Sequence, residues 1–523
     1  MNDMANVADG IRRPDRIAVL LLAVAVAVIP ACKGEPPDAP SGTSPKYVAT
    51  KILDGPDDEV IEVFVRVPDD TTSDEQRRMS SGPGGRKSSA VQDLDLKAED
   101  VDDSYHYRIA DLVYVRAKRG HLKTLVDEKK VSVRHVIHVP RLVFGPLPGA
   151  AEPHASEGPD VITGVDAVVV DSEEATIEDH LTQANVPGAW DLEVNGNGVV
   201  VGIIDTGAKA NHHTFSSNYR GYDPDGLDHD YNWADFADEP SATPADAKGH
   251  GTKVTGVVVG GGCTSKYLDS TVGVAPGAQW IACRAAKELS GDMIGADQYF
   301  KCLEWMWSPT LDGEPNPTMS PDVIQFSGHF DEMDKDLAVE VEVMHQNLED
   351  AGIVFVHSVG NIDVECPTLD LCDAFDAPPS SLDQALTVGA VDEEGRWFKS
   401  LCSAQATPSK PDLVAPGKSV RTAFRGPADE DGTCGGVSGT SLAAPIVSGV
   451  VALMLDANPC LKDHPAEVRA LLRDAVGVKS TGPDCSDAVS PDRLFGNGEV
   501  NAESAVASAK AFNCPPDAEE VVD

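Results

Sequence analysis

Three polar residues stand where the sequence passes from an apolar run or a glycine-rich loop into the next element. Asp205 ends "VVVGIID", His250 lies between glycines in "KGHGTK", and Ser441 follows "SGT" and opens "SLAAPIVSGVV". Taken singly, each has an ordinary interpretation: Asp205 as a turn or capping residue, His250 as a surface side chain, Ser441 as an N-cap. Together, in the order Asp, His, Ser, they match one of the few chain orders that build a nucleophilic triad.

The chemistry that such a set could perform is acyl transfer through a covalent intermediate. A serine hydroxyl is a weak nucleophile at neutral pH, so it needs a base within hydrogen-bond reach and a group that orients the base. We assign Ser441 as the nucleophile, His250 as the base and then the acid, and Asp205 as the carboxylate that fixes the imidazole tautomer. A helix that begins near Ser441 would direct backbone N–H groups and its positive dipole end at the developing oxyanion.

The elements that must position these residues alternate between apolar strands and helical patterns from about residue 180 onward. Continuous apolar strands separated by helices predict a mostly parallel sheet covered on both faces, which is a doubly wound α/β domain. Sites in such sheets lie at the carboxyl ends of strands, where Asp205 stands. Residues 46–145 contain strands and a helix in a different pattern, which predicts a small α+β domain.

The chain is therefore predicted to contain six consecutive segments, whose boundaries follow changes in composition. They are an export signal (1–31), a Pro-, Gly- and Ser-rich tether (32–45), the small domain (46–145) with a disordered insert (70–104), a linker (146–179), the large domain (180–514) and an acidic tail (515–523). The formal net charge is −43, from 85 Asp and Glu against 42 Lys and Arg. This charge should repel nucleic acid, so we expect no nucleic-acid partner.

The export signal rests on Arg12, Arg13 and Arg16, which precede the apolar run "IAVLLLAVAVAVIPAC". The run is too short for a comfortable membrane span. Cys32 ends a stretch that resembles the bacterial lipoprotein signal, in which the cysteine is acylated and would anchor the chain to a membrane. Pro30 is unusual in that stretch, so lipidation of Cys32 and ordinary secretion both stay open, and either one exports the chain.

Cysteine usage also favours export. Without Cys32, ten of the 11 cysteines remain, and all lie between Cys263 and Cys514. An even number in this arrangement predicts disulfides in an oxidising compartment, with Cys366 and Cys372 as one local pair. No CxxC pair and no cysteine and histidine cluster at zinc spacing occurs in the sequence, so no metal site is predicted.

Longer stretches resemble a known family. "IIDTG", "GHGT" and "GTSLAAP" look like the three signature segments of the subtilisin-like serine proteases, the subtilases, and the resemblance extends over roughly residues 180–512. It implies a subtilisin-like fold and a serine-type endopeptidase that acts on protein or peptide substrates without a cofactor for the chemistry. It also implies that residues 46–145 are a propeptide, which assists folding, inhibits the enzyme within the same chain and is then cut away.

The resemblance assigns further residues. Asn361, in "VGNIDVECP", would be the second oxyanion donor, against the alternative of a left-handed turn residue beside Gly360. Ser327 and Gly328, in "VIQFSGHF", would belong to the strand that binds an extended substrate, although this stretch departs from the family's usual serine, leucine, glycine, glycine.

Other residues near these segments are expected to have no part in the chemistry. His329 and His357 are expected to pack or to lie at the surface. Thr214 and Phe215 stand where many relatives place a calcium-binding Asp, so calcium at that site is doubtful. A structural calcium ion elsewhere in the chain stays open but has no motif to support it.

Two rival functions remain open at this point. A catalytically silent envelope protein could use the same fold to bind peptides or to act as a scaffold, but it would have no chemical reason to keep Asp205, His250, Asn361 and Ser441 together. An esterase or acyltransferase is disfavoured because the hydrolase elbow GxSxG and the order Ser, Asp, His are absent.

Overall fold

The structure of the protein is a computed structural model. It describes residues 52–53, 55–66, 101–107, 110, 112–127, 136–138, 141–143, 177–237, 240–246, 248–264, 267–285, 294–330, 335–362, 378–401, 410–425, 433–477 and 491–514. The chain divides into Met1–Ser44, which contains no described residue, and Pro45–Asp523, to which everything below refers.

The described secondary structure alternates strands and helices through most of Pro45–Asp523. The strands are β1 (Val60–Arg66), β2 (Val101–His106), β3 (Leu112–Lys118), β4 (Val136–His138), β5 (Arg141–Val143), β6 (Val200–Asp205), β7 (Tyr222–Asp223), β8 (Gly226–Leu227), β9 (Trp233–Asp235), β10 (Gly262–Thr264), β11 (Tyr267–Thr271), β12 (Gln279–Arg284), β13 (Ile294–Gly295), β14 (Thr310–Leu311), β15 (Glu314–Pro315), β16 (Val323–Phe326), β17 (His329–Phe330), β18 (Val354–Ser358), β19 (Ala385–Val391), β20 (Leu413–Pro416), β21 (Val420–Phe424) and β22 (Thr433–Val437).

The helices are α1 (Arg119–Asp127), α2 (Asp179–Gln183), α3 (Val186–Trp190), α4 (His250–Val259), α5 (Ala296–Trp307), α6 (Lys335–Asp350), α7 (Thr440–Ala457), α8 (Pro465–Asp474), α9 (Pro491–Phe495) and α10 (Ala502–Ala511). Short 3-10 helices cover Ser216–Asn218, Pro317–Met319 and Pro459–Asp463.

A seven-stranded sheet forms the centre of the molecule, in the order β20, β19, β18, β16, β6, β12, β9. Each neighbouring pair in it is parallel. The chain builds outward on both sides of β6, because β12 lies on one side and β16 on the other. The strand order therefore reverses next to β6, which is the position where parallel sheets of this kind hold their sites.

Helices cover both faces of this sheet. Successive strand residues point to opposite sides, so neighbouring residues of one strand belong to different cores. Val201 and Ile203 of β6 belong to a core that includes α4 and α7, whereas Ile204 belongs to a second core that includes α5 and α6. The predicted doubly wound, mostly parallel α/β fold is confirmed.

Helix α7 lies in the first of these cores. Among the described residues it is the candidate that has the length and hydropathy of a membrane-spanning helix, and 89% of its apolar window is buried inside the protein. It therefore has the character of a core helix.

A smaller antiparallel sheet, in the order β2, β3, β1, β4, lies N-terminal to the large one. The predicted sequence of strand, helix, strand is confirmed as β3, α1 and β4. Strand β2 begins at Val101, so the last four residues of the predicted insert 70–104 lie in a strand, held by pairing with β3 rather than by apolar content of their own. The rest of the insert lies outside the described residues.

The small sheet packs against α5 through aromatic side chains. The ring centroid of Phe300 lies 5.2 Å from that of Phe64 and 6.0 Å from that of Tyr107. The Tyr107 hydroxyl donates to the Asp297 carbonyl at 3.2 Å. Phe64 and Tyr107 are fully buried in this contact.

Disulfides join Cys283 to Cys302 and Cys460 to Cys514, and Cys434 is also disulfide-bonded. The first connects β12 to α5. The prediction that these cysteines form disulfides is confirmed. Both the predicted pair Cys366 and Cys372 and the candidate lipid site Cys32 lie outside the described residues.

Candidate active site

Asp205 is the last residue of β6, and its side chain is 1% exposed. A buried carboxylate is costly unless donors surround it. Here Oδ1 accepts the backbone N–H of Thr206 at 2.7 Å, and the two carboxylate oxygens lie 2.8 and 3.0 Å from Nδ1 of His250. The parallel strand thus ends in a carboxylate aimed at the histidine.

His250 is the first residue of α4 and follows Gly249, whose φ of 76° lies in the left-handed region that favours glycine. Because Nδ1 faces a carboxylate, the neutral ring carries its proton there and leaves Nε2 as the basic nitrogen. The side chain is 14% exposed, so the ring is held on one side and accessible on the other.

Ser441 is the second residue of α7 and is preceded by Gly439, at φ 142°. Its position in the first helical turn provides backbone N–H groups that have no partner within the helix. Oδ1 of Asn361 accepts the backbone N–H of Thr440 at 2.9 Å and the Thr440 hydroxyl at 3.1 Å. The Asn361 amide is thereby fixed next to Ser441, with its Nδ2 donors turned away from Thr440.

The carboxyl edge of the large sheet brings these groups together. Asp205 ends β6, Ser327 follows β16 and Asn361 follows β18, and these three strands are neighbours in parallel register. Helix α4 packs against α7, so the helices that begin at His250 and Thr440 lie side by side.

Asp246 is a buried carboxylate that the sequence did not single out. It accepts Thr206 Oγ1 at 2.9 Å, Gly249 N at 2.7 Å and Thr252 Oγ1 at 2.7 Å, and so ties the residue after Asp205 to both sides of His250. Burial, the largest influence, raises the pKa of Asp246, and the nearby Asp205 carboxylate raises it further. The only sequence signal was an aspartate four residues before the histidine.

A three-stranded antiparallel sheet forms beside this edge, in the order β13, β5, β17. Its middle strand β5 comes from the end of the small domain, so a segment of the same chain lies next to the site. Val143 pairs with His329, and Leu142 pairs with both Phe330 and Ile294.

Ser327 and Gly328 lie just before the strand that makes this pairing. The Ser327 hydroxyl instead contacts the Ser441 carbonyl at 3.2 Å, and Gly328 uses its carbonyl to accept from His357 at 2.8 Å. The sequence did not indicate Ile294 and Gly295 on the other side of β5, because no local pattern marks a two-residue edge strand.

The residues do not fit the calcium site that the family implies. Thr214 is buried, and its Oγ1 has no hydrogen-bond partner among the described residues. A neutral hydroxyl does not supply the carboxylate charge that calcium prefers. Within the described ranges, no three His, Cys, Asp or Glu side chains gather so that they could hold a metal ion.

A known protein family matches most of the large domain. Residues 196–498 match the profile of the subtilase family, which is more than half of the chain. The chain belongs to the subtilase family. The match begins just before β6 and ends after α9, so it includes Asp205, His250, Asn361 and Ser441.

Individual relatives are also similar over this region. Bacillopeptidase F of Bacillus subtilis (strain 168) is 33% identical over 344 residues, which are 64% of this chain and 22% of that protein. Serine protease AprX of the same strain is 28% identical, over 60% of this chain and 67% of that protein. Proprotein convertase subtilisin/kexin type 6 of Rattus norvegicus is 26% identical, over 64% of this chain and 34% of that protein.

A solved protease from Pseudoalteromonas arctica PAMC 21717 aligns with 64% of this chain and 98% of its own length, at 21% identity and a TM-score of 0.48. Since this subtilase spans about a fifth of Bacillopeptidase F and a third of the convertase, the activities of those whole proteins are not transferred to it.

Proposed function

We propose that this subtilase is an exported serine endopeptidase that hydrolyses peptide bonds through Asp205, His250 and Ser441. The observation that carries the proposal is the hydrogen bond from His250 Nδ1 to the buried Asp205 carboxylate, at the sheet edge where α7 begins with Thr440 and Ser441. In this proposal the bond orients the imidazole as a base for the Ser441 hydroxyl in the first turn of α7.

In the proposed reaction, Ser441 Oγ attacks the carbonyl carbon of the scissile bond while its proton passes to His250 Nε2. The Asp205 carboxylate stabilises the imidazolium that forms. The developing oxyanion receives hydrogen bonds from the α7 first turn and from Asn361 Nδ2. The imidazolium then protonates the leaving amine, which breaks the peptide bond and leaves an acyl-enzyme that water hydrolyses by the reverse proton path.

The substrate is proposed to be an extended protein or peptide. The supporting observation is that β13 and β17 already accept β5 as an antiparallel strand between them. Backbone pairing of this kind recognises an extended chain of many sequences. It does not by itself define which residue is preferred next to the scissile bond.

Residues 46–145 are proposed to be the chain's own propeptide and inhibitor. Strand β5 occupies the pairing position that a substrate would need, and Phe64 and Tyr107 anchor the same domain on α5. Cleavage C-terminal to Val143 would release the strand and open the site. The domain boundaries given above, with 180–514 as the catalytic domain, belong to this proposal.

Export is proposed from the N-terminal sequence and from the disulfides, which form in oxidising compartments. A lipid on Cys32 would retain the enzyme at the cell envelope. Mass spectrometry of the mature N-terminus, from envelope and medium, tests export, Cys32 acylation and propeptide removal in one measurement. An envelope-bound chain that begins at unmodified Asn2 would contradict the export proposal.

A fluorophosphonate label tests the chemistry. The processed protein should be labelled covalently at Ser441 and should hydrolyse an unstructured protein substrate, whereas Ser441→Ala should do neither. If the mature, folded protein takes up no label, the silent peptide-binding alternative is favoured instead. Location of the label by peptide mass spectrometry separates Ser441 from its neighbour Ser438.

A further inference from the structure

Two buried polar side chains lie behind the substrate-pairing edge and reach the residues that join β16 to β17. These joining residues are Ser327 and Gly328, called here the Ser327–Gly328 corner. Gln325 in β16 is fully buried, and His357 in β18 is 1% exposed. Polar groups at this depth are costly unless they are hydrogen-bonded, so their partners are informative.

Gln325 belongs to a chain of three hydrogen bonds that leads to the nucleophile. Ser448 in α7 donates its hydroxyl to Gln325 Oε1 at 2.5 Å, and Gln325 Nε2 donates to Ser327 Oγ at 2.8 Å. The Ser327 hydroxyl then donates to the backbone carbonyl of Ser441 at 3.2 Å. All three hydrogen bonds run in one direction, from Ser448 to the Ser441 carbonyl. Each group in this series therefore has a defined role as donor or acceptor.

Pro445 explains why the Ser441 carbonyl accepts this bond. In a regular helix that carbonyl would accept the N–H of the residue four positions later, which here is Pro445 in the interior of α7. Proline has no N–H, so the regular helical hydrogen bond to this carbonyl cannot form. The Ser327 hydroxyl supplies the missing donor and connects the corner directly to the peptide unit of the nucleophile.

His357 holds the other residue of the corner. Its Nε2 lies 2.8 Å from the Gly328 carbonyl, which can only accept, so Nε2 carries the proton. Its Nδ1 is buried and has no hydrogen-bond partner among the described residues. The ring lies near Phe326 and Phe355, with centroids 5.2 and 6.4 Å away, and burial lowers its pKa to about 3. His357 therefore stays neutral, and its one hydrogen bond serves Gly328.

We propose that Gln325 and His357 are positioning residues that hold the Ser327–Gly328 corner, and that they thereby align the substrate-pairing strand β17 with Ser441. Neither side chain touches substrate in this proposal. Gln325 acts through Ser327 on the nucleophile, and His357 acts through Gly328 on the strand. The inference rests on the proposed peptidase function and adds two residues to it.

The two residues make different kinetic predictions. Loss of the His357 bond frees the strand that pairs with substrate, so it should raise KM for an extended peptide. Loss of Gln325 removes the donor to Ser327, so it should lower kcat and slow the reaction of Ser441 with a fluorophosphonate, which makes no strand pairing. A merely structural role would lower Tm and leave these constants unchanged.

The His357 test compares His357→Phe with His345→Phe in the full chain, assayed after self-processing. His345 is equally buried, but its ring nitrogens bond to the Val341 carbonyl at 2.7 Å and the Tyr299 hydroxyl at 3.3 Å. We expect His357→Phe to raise KM about tenfold, with kcat and labelling rate within about twofold. His345→Phe should lower Tm and leave KM within about twofold. His357→Gln, which keeps an N–H donor, should recover most of the lost affinity.

The Gln325 test compares Gln325→Leu with Thr387→Val. Thr387 is also fully buried, and its hydroxyl donates to the Ser380 carbonyl, away from the corner. We expect Gln325→Leu to lower both kcat and the labelling rate about tenfold, and Thr387→Val to change neither by more than about twofold. If Gln325→Leu does not fold, Ser327→Ala removes the same link with a smaller change and should show the same loss.

The outcomes separate this inference from the proposed function. A wild type that is neither labelled nor active overturns the proposed function. A wild type that is labelled and active, with variants at the corner whose KM, kcat and labelling rate all stay within about twofold, overturns only the positioning roles. Equal KM increases in His357→Phe and His345→Phe would also overturn the role of His357, since the effect would then be one of packing.

Discussion

The two faces of the seven-stranded sheet are packed with different kinds of side chain. The face that carries α4 and α7 is filled mainly by alanine, valine and leucine. The face that carries α5 and α6 is rich in aromatic rings, among them Phe300, Phe326 and Phe355, and extends to Phe64 and Tyr107 of the small sheet. Small side chains allow close approach of backbones, whereas aromatic rings give large contacts that a separate domain can share.

The two faces of the sheet therefore have different roles. The close-packed face fixes the helices that begin at His250 and Thr440, and so sets the geometry proposed for the chemistry. The aromatic face holds the small sheet, and the chain that follows this sheet includes β5, which lies at the edge proposed to bind substrate. We therefore expect changes on the first side to alter turnover or folding, and changes on the second to alter inhibition.

The largest effect should come from Asp205→Asn, at the end of β6. The amide cannot hold the imidazole in the tautomer that leaves Nε2 basic, so kcat should fall by about 10⁴-fold, as measured from peptide hydrolysis by the processed enzyme. The Tm of the processed variant should change little. A loss smaller than about tenfold would mean that His250 does not depend on Asp205.

The converse change is Phe64→Ala, on the aromatic face. Phe64 is fully buried against α5, and loss of a buried aromatic anchor commonly weakens an interface by at least about 2 kcal/mol, or roughly 30-fold in affinity. Inhibition by residues 46–145 should weaken by that factor, while the processed enzyme keeps its kcat. Val60→Ala provides the control, because Val60 lies in the same strand but is 39% exposed. Equal effects of the two variants would remove the aromatic face from the inhibition.

The tightness of the close-packed face can be tested with a single methyl group. A Cβ added to Gly449 in α7 would lie 2.5 Å from Cβ of Val274, too close for either backbone to remain in place. Gly449→Ala should lower the free energy of unfolding by about 1–3 kcal/mol in a denaturant titration. Gly226→Ala, with no atom within 4 Å of its new Cβ, should stay within about 0.5 kcal/mol of wild type.

Acid sensitivity is the most gradual effect, and both faces contribute to it. Burial lowers the pKa of His180 and His345 to about 4, and that of His357 to about 3, from 6.5. Below pH 6.5 the unfolded chain therefore binds protons that the folded chain does not. Stability should fall as pH falls from 6.5 towards 4, by about 1.4 kcal/mol per pH unit for each histidine.

Urea midpoints measured at several pH values between 7.5 and 4.5 check this dependence on pH. Replacing His345 by glutamine should reduce the slope by about a third. An unchanged slope would show that His345 takes up its proton without unfolding.

Much of the fold followed from the sequence because continuous apolar runs, such as "VVVGIID" before Asp205, have few other stable solutions than a covered parallel sheet. The triad could be proposed from three short segments because strand ends and helix starts meet at one edge of such a sheet. Asn361 was predicted as an oxyanion donor through the resemblance to the subtilases. These inferences depend on short sequence patterns, and they can be made without knowing which residues far away in the chain come into contact.

The remaining features depend on partners far away in the chain. Substrate contact at Ser327 and Gly328 stays a prediction. The strand that pairs with β5 starts at His329, and the sequence does not mark this two-residue edge because β5 creates it. His357 was expected to pack or to lie at the surface, and its bond to Gly328 spans 29 positions. Asp246 was not singled out because the groups that donate to its carboxylate come together only after folding.

Helix α7 combines a first turn that carries the proposed nucleophile with a body that is buried almost along its whole length. Random substitution along it should reduce the yield of folded protein long before it yields an enzyme with altered kinetics. The rate of such an enzyme can therefore be modified more readily through groups that touch only its first turn, such as Asn361 and Ser327. Protein engineering would gain most by leaving the helix itself untouched.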